Sequence, residues 1–369
     1  MERHRLVRRA APADLVGVAG ELCGLHAQIT SSPELSLWAR IDGLECGAVH
    51  QALWEQRALV KLWAMRGTLH LLPSAELGIW LSALGTFTTR GNCGNPEIDR
   101  LVDAIGRALG GRVLTREALA LAVEETTGDP TLGEWIRCGW GSYMKAASFR
   151  GIVCFGPSLG GRVSFTTPAT WIPGAAEQPG AHEGVRAVTR RFLSAYAPVT
   201  REDLAFWWGD GRRAGARMLA ALGEEAIEVD VEGQRAWMLA EDLCGMLAAR
   251  PPQAARLLPG FDPWIIGALI GRPPGTPCDP VLPPPGRRRQ VFSPQGWVSP
   301  VFLVDGRIAG TWSQTRKGRG LLVEFAPFAP LPAWARAQLE AEAERLARFL
   351  GGALSLRSSA PPPSCEYAS

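Results

Sequence analysis

The sequence predicts an α+β fold: three tandem helical units, each closed by a β-hairpin, followed by a small C-terminal β-barrel. Three observations carry this expectation. The segment Val113-Leu114-Thr115-Arg116-Glu117-Ala118-Leu119-Ala120 recurs 85 residues later as Pro198-Val199-Thr200-Arg201-Glu202-Asp203-Leu204-Ala205. Each copy sets a Thr at a helix N-cap, acidic residues in the first turn and an apolar helical face behind them. Each is also followed by more helix and then by two short apolar runs around a glycine-bearing turn, residues 151–155 with 161–165 and residues 226–231 with 235–239. After about residue 250 the pattern changes, and short strand-like runs at 290–292, 297–304, 307–312 and 321–325 follow a proline-rich stretch.

The N-terminal region repeats the order. Leu15, Val18, Ala19 and Leu22 have helical spacing; Leu37 and Ile41 continue on a second helix, and Val49, Leu53 and Trp54 on a third. Ser32-Pro33 marks the second start, with Ser32 as N-cap and Pro33 at the first helical position. Residues 58–63 and 68–72 then flank Met65-Arg66-Gly67 as a hairpin. Two or three helices and a hairpin is the order of a winged helix, so the expected units are residues 1–90, 91–175 and 176–250. Residues 251–358 form the barrel-like domain, with Asp305-Gly306 and Lys317-Gly318 as turns and a closing helix over 333–349. Residues 359–369, with Pro361-Pro362-Pro363, form a flexible tail.

Composition bounds the function. With 369 residues, 46% hydrophobic and 20% charged, the chain has enough apolar material for several small cores. Arg3, Arg5, Arg8 and Arg9 precede an apolar patch in the manner of a secretion signal, but Asp14 and Glu21 break that patch. No apolar run approaches the ~18 residues that span a bilayer. The expectation is a cytoplasmic, nucleoid-associated monomer with no membrane partner. Eight cysteines include no Cys-x-x-Cys pair and no histidine at ligand spacing, so no metal and no cofactor are expected. Net charge is only +3, yet of 39 basic residues just Lys61, Lys145 and Lys317 are lysine. The remainder are arginine, the side chain suited to phosphate forks and base edges.

The segment Gly24-Leu25-His26-Ala27-Gln28 places an imidazole and a carboxamide two residues apart, just ahead of Ser31-Ser32-Pro33-Glu34-Leu35-Ser36-Leu37-Trp38-Ala39-Arg40. Side chains at i and i+2 share a side only in extended backbone, so a joint site requires Ala27 to be extended or at a helix end. This segment resembles the catalytic segment of the AlkZ-like winged-helix DNA glycosylases, where a Gln-x-Gln or Gln-x-Asp pair stands in that place. The resemblance continues at Met65-Arg66-Gly67-Thr68-Leu69-His70-Leu71-Leu72-Pro73, at Leu257-Leu258-Pro259-Gly260-Phe261-Asp262, and at Gly296-Trp297-Val298-Ser299-Pro300-Val301 with Gly310-Thr311-Trp312. It implies a C-shaped array of three winged helices and a small barrel that grips double-stranded DNA and removes alkylated bases without a metal. It also implies repair of alkylation damage or self-resistance in an antibiotic producer. His26 departs from the family's Gln, and the His-x-Gln variant resembles members associated with bulky, intercalating N7-guanine adducts.

The implied catalytic residues are His26 and Gln28. N7 alkylation puts a positive charge on the base, so cleavage releases a neutral leaving group and no general acid is needed. A carboxamide then orients the attacking water, and a neutral imidazole titrating near pH 6.5 accepts its proton. The site is expected on the floor of a broad, arginine-lined groove with no deep aromatic slot. Candidate DNA contacts are Arg66 at the first hairpin turn, the run Arg287, Arg288 and Arg289, and Arg316, Lys317 and Arg319 at a hairpin tip. His70 reads as a structural hydrogen-bonding residue, and Asp262 as a cap or turn residue. The competing reading is a non-catalytic winged-helix transcription regulator, distinguished by dimerisation and sequence preference.

Overall fold

A computed structural model of the chain describes residues 1–89, 94–138, 141–174, 178–268, 282–284 and 286–359. Most of the proline-rich stretch over 272–286 and nearly all of the expected tail lie outside these residues. The architecture is mixed α+β with several separate sheets.

Helix Leu15–Glu21 leads into β1 (Leu25–His26), and helix Ser32–Trp38 follows it. Strands β2 (Leu59–Trp63) and β3 (Leu69–Pro73) form the hairpin, and β1 adds to its open side in the antiparallel order β1-β3-β2. This small sheet separates two cores, because side chains alternate across it with period two. Leu25, Leu59 and Leu71 face a core shared with the C-terminal strands, while Val60, Leu62 and Leu72 face the core of the central units.

The repeat units follow. Thr115 caps helix Arg116–Thr127 through the Ala118 amide. Thr200 caps helix Arg201–Trp208 in a full capping box with Asp203, as the repeated Thr-Arg-Glu pattern predicts. Strand β4 (Leu114–Thr115) lies beside the hairpin of β5 (Cys154–Leu159) and β6 (Arg162–Thr166) in the order β4-β6-β5. The third hairpin, β7 (Ala226–Val231) with β8 (Gln234–Leu239), pairs through every residue of both strands.

The C-terminal region departs from expectation. Strands β9 (Ala255–Leu258), β10 (Val301–Val304), β11 (Arg307–Lys317), β12 (Gly320–Pro327) and β13 (Ala353–Ser358) form an open sheet in the order β13-β12-β11-β10-β9, not a closed barrel. Closure is not needed to bury its apolar face. Ala335, Leu339, Ala343 and Leu346 of helix Ala333–Leu350 share one core with Phe302 and Val323 of the sheet and with Leu37 and Trp38 of the N-terminal unit. β13, absent from the expected strands, returns after that helix to pair in parallel with β12. Residues 290–291, expected as strand, instead end a short helix, Arg288–Val291, and only Phe292 pairs, in a single bridge with Val298. Ser32 is likewise not a cap: it is the first helical residue, and its hydroxyl donates to the Gly260 carbonyl at 2.8 Å.

Candidate active site

The segment after helix Leu15–Glu21 must reverse direction to reach β1. Gly24 permits this, at φ +87°, where a Cβ would lie 2.5 Å from Leu72 Cδ2. β1 then pairs with β3 so that His26 stands opposite His70. The Ala27 amide donates to the Leu69 carbonyl at 2.7 Å, which carries the extended ladder one residue beyond His26. Extended backbone through Ala27 is the condition under which His26 and Gln28 serve one site. Gln28 is exposed at the end of this ladder, and helix Ser32–Trp38 begins four residues later.

His26 itself is 5% exposed. It is not laid open on a groove floor, as the sequence suggested, because two rings enclose it. Phe261 stacks on its face, with centroids 4.8 Å apart and planes within 6°, and His70 meets it edge-on at 5.6 Å. Nδ1 of His26 is buried without a hydrogen-bond partner among the described residues. Burial, and secondly the positive charge of Arg66, push the His26 pKa down to about 3. The ring is therefore neutral throughout the physiological range, and the expectation that it titrates near 6.5 is corrected. His70 is held below the usual histidine range chiefly by burial, and its Nδ1 lies 3.0 Å from the Thr68 carbonyl, which fits the expected structural role.

Phe261 is delivered from the C-terminal region. It follows β9 with φ +59°, a conformation that costs a non-glycine residue energy and persists only when neighbours enforce it. Both flanking residues are clamped. The Gly260 carbonyl accepts from Ser32, and the Asp262 carboxylate takes both guanidinium arms of Arg40, at 2.8 and 2.7 Å, with neither side chain exposed. Asp262 also accepts from the Trp264 amide at 2.9 Å, so the expected capping role is present together with a buried ion pair. The helix that follows Gln28 thus holds the ring that covers His26.

Arg66 closes the third side. Its Nη1 donates to the Trp207 carbonyl at 2.9 Å, near the C-terminus of helix Arg201–Trp208, which latches the first hairpin onto the third unit. The two backbones approach so closely that a Cβ on Gly209, which has φ +83°, would lie 2.6 Å from the Arg66 Cα. Arg66 is half-buried, and this bond turns it toward protein rather than a phosphate.

The other basic candidates are dispersed. Arg289 is exposed, whereas Arg287 and Arg288 are half-buried, and the Arg288 guanidinium lies over the Phe292 ring at 5.1 Å. Lys317 and Arg319 are exposed at the β11–β12 tip. Arg316 is folded back, donating to the carbonyls of Leu350 and Gly351 at the end of helix Ala333–Leu350. A cleft of about 940 Å³ between the N-terminus, Tyr196 and Trp264 contains neither His26 nor Gln28. Among the described residues no group of His, Cys, Asp and Glu is arranged to hold a metal, and no helix is long and apolar enough to cross a membrane.

Arg40, Phe261 and Trp207 escaped the sequence reading as members of one site. Arg40 and Phe261 stand in the segments that carry the family resemblance, but only their neighbour Asp262 was given a role, as the cap or turn residue of Phe261-Asp262-Pro263.

The candidate site lies where the first hairpin, the end of helix Arg201–Trp208 and the segment after β9 converge. The chain belongs to the AlkZ-like DNA glycosylase family, whose description matches residues 19–349. It is a DNA glycosylase, a hydrolase of N-glycosyl bonds, with DNA as its substrate partner. It is 34% identical over 325 residues, 85% of each chain, to an interstrand DNA cross-link repair glycosylase of Streptomyces sahachiroi. The solved structure of the Streptomyces sahachiroi DNA glycosylase AlkZ superposes with a TM-score of 0.84 at 33% identity, covering 97% of both chains.

Proposed function

We propose that the protein excises N7-alkylated purines from double-stranded DNA, among them bulky, intercalating N7-guanine adducts, in DNA repair or in self-resistance to a DNA-alkylating product. The observation that carries this reading is the extended backbone through Ala27, which puts an exposed carboxamide at Gln28 two residues from a neutral, enclosed imidazole at His26. Gln28 orients a water against the anomeric carbon. His26, neutral at pH 7, supports that water as a hydrogen-bonding group rather than as a strong base, because a ring held near pKa 3 takes up a proton poorly. The charged purine leaves as a neutral base, so no general acid and no cofactor take part in this chemistry.

In this reading the three helical units, 1–90, 91–175 and 176–250, are winged-helix modules that hold the duplex, residues 251–358 supply Phe261 to the site, and the enzyme acts as a cytoplasmic monomer on the nucleoid. Arg289, Lys317 and Arg319 contact phosphates, with Arg287 and Arg288 beside them. The name of the Streptomyces sahachiroi relative supports a second reading, in which interstrand cross-links are also unhooked. The deciding test is incubation with duplex containing 7-methylguanine. Release of free base with an alkali-sensitive abasic site supports the proposal, and intact substrate at enzyme excess refutes it.

A further inference from the structure

Trp297 is a large aromatic side chain left 52% exposed. It is not on a loose loop. The Ser293 amide donates to the Trp297 carbonyl at 2.9 Å, the Trp297 amide donates to Ser293 Oγ at 3.1 Å, and Phe292 and the fully buried Val298 form a bridge just beyond. The backbone on both sides is thus fixed while the indole projects. Its inner neighbour is Phe261, met edge-on at 5.4 Å and 86°. Phe261 in turn lies flat on His26. Three rings from two distant parts of the chain therefore form one tier that starts on the surface and ends at the enclosed imidazole. The short helix Arg288–Val291, which leads into the turn, carries the exposed Arg289. A rigid exposed aromatic is the arrangement on which an unpaired base stacks, and an exposed arginine on the preceding helix adds attraction for the phosphates.

We propose that Trp297 is a specificity-determining contact for the glycosylase reaction: its exposed indole stacks on a nucleobase, or on a flat adduct, that has left its place in the duplex. Phe261 is a positioning residue that braces Trp297 and fixes the His26 ring relative to it. Damaged, poorly stacked sites are then favoured over intact duplex, because the stacking partner must first be released from its neighbours. This inference rests on the reading, under the proposed function, that the protein holds double-stranded DNA at the His26 site, but not on the identity of the lesion.

The test uses the full chain and a duplex carrying a single bulged 2-aminopurine, whose fluorescence is quenched by stacking. Wild-type protein quenches the probe. Trp297→Leu, which keeps apolar packing on Phe261, and Trp297→Ala both lose most of that quench and bind the bulged duplex about 5- to 150-fold more weakly, with affinity for fully paired duplex nearly unchanged. Trp297→Phe retains most of both. Equal quenching and an unchanged bulged-to-paired affinity ratio in Trp297→Leu, folded as judged by its thermal midpoint, overturn the inference. Excision of 7-methylguanine is followed in parallel. A wild type that quenches but does not excise refutes the proposed substrate and leaves the stacking role standing. One that excises while the Leu variant quenches normally does the reverse.

Discussion

His26 owes its character to its surroundings. An imidazole in water gains a proton near pH 6.5, but here burial beneath Phe261 and the Arg66 charge lower that value to about 3. Excision by the wild type should therefore show no inflection from His26 between pH 5 and 8, checked by single-turnover rates on one N7-alkylguanine duplex. A clear inflection near 6.5 that vanishes in His26→Gln would mean that the ring is solvated when DNA is bound. Gln28 is exposed, so replacing it disturbs no buried packing. Gln28→Ala should lower the excision rate by about 10²–10⁴-fold while duplex affinity changes little. His26→Gln, which restores the pair more common in the family, should retain measurable activity and exceed His26→Ala.

At the scale of elements, two clamps hold the site together and make different demands. The Arg40–Asp262 pair is wholly buried, so removing one partner strands the other charge in a region without water. Asp262→Ala should cost about 3–5 kcal/mol in denaturant unfolding, with excision abolished as well because Phe261 is released. Gly209 allows the hairpin turn at Arg66 to sit against the third unit, and Gly209→Ala adds both an unfavourable φ and a clash with the Arg66 backbone. The β11–β12 tip separates two kinds of cation. Lys317→Gln with Arg319→Gln should flatten the salt dependence of duplex binding by about 0.9 in log–log terms for each phosphate no longer neutralised, measured by titration at several salt concentrations. Arg316→Gln should leave that slope unchanged, since its guanidinium is already bonded to the end of helix Ala333–Leu350.

For the whole molecule, the buried histidines tie stability to pH. Burial lowers the pKa values of His4, His26 and His70 in the folded state, so between the unfolded value near 6.5 and the folded values the unfolded chain binds more protons. Stability contributed by these groups is complete above about pH 6.5 and falls as the pH drops below it, at about 1.4 kcal/mol per pH unit for each ring that remains unprotonated. Thermal midpoints should decline steadily from pH 6.5 to pH 4, and His70→Gln should reduce the slope of that decline. A midpoint flat over this range would show that the rings are reached by protons without unfolding. Convergence of three parts of the chain on His26 adds a cooperative element: the first hairpin is latched to Trp207, helix Ser32–Trp38 to Gly260, and Arg40 just beyond that helix to Asp262.

Local patterns were sufficient for much of this protein. Threonine caps, period-two and helical spacings and glycine turns depend on neighbours within a few residues, and they located the helices at Arg116 and Arg201 and all three hairpins; whether the backbone at Ala27 is extended or a helix end they left open. The α+β class and the glycosylase family were legible for the same reason, since both are written in short segments. The missed features depend on partners far along the chain. Ser32 has the chemistry of an N-cap, yet Gly260, 228 residues away, takes its hydroxyl. The strands of the C-terminal sheet alternate as a barrel's do, but a helix and the N-terminal core cover their apolar face, so the sheet stays open. Tertiary structure alone decided that Phe261 lies on His26 and that Arg40 neutralises Asp262. Desolvation and ring stacking are properties of what fills the space around a side chain, and that space is enclosed only when distant segments meet.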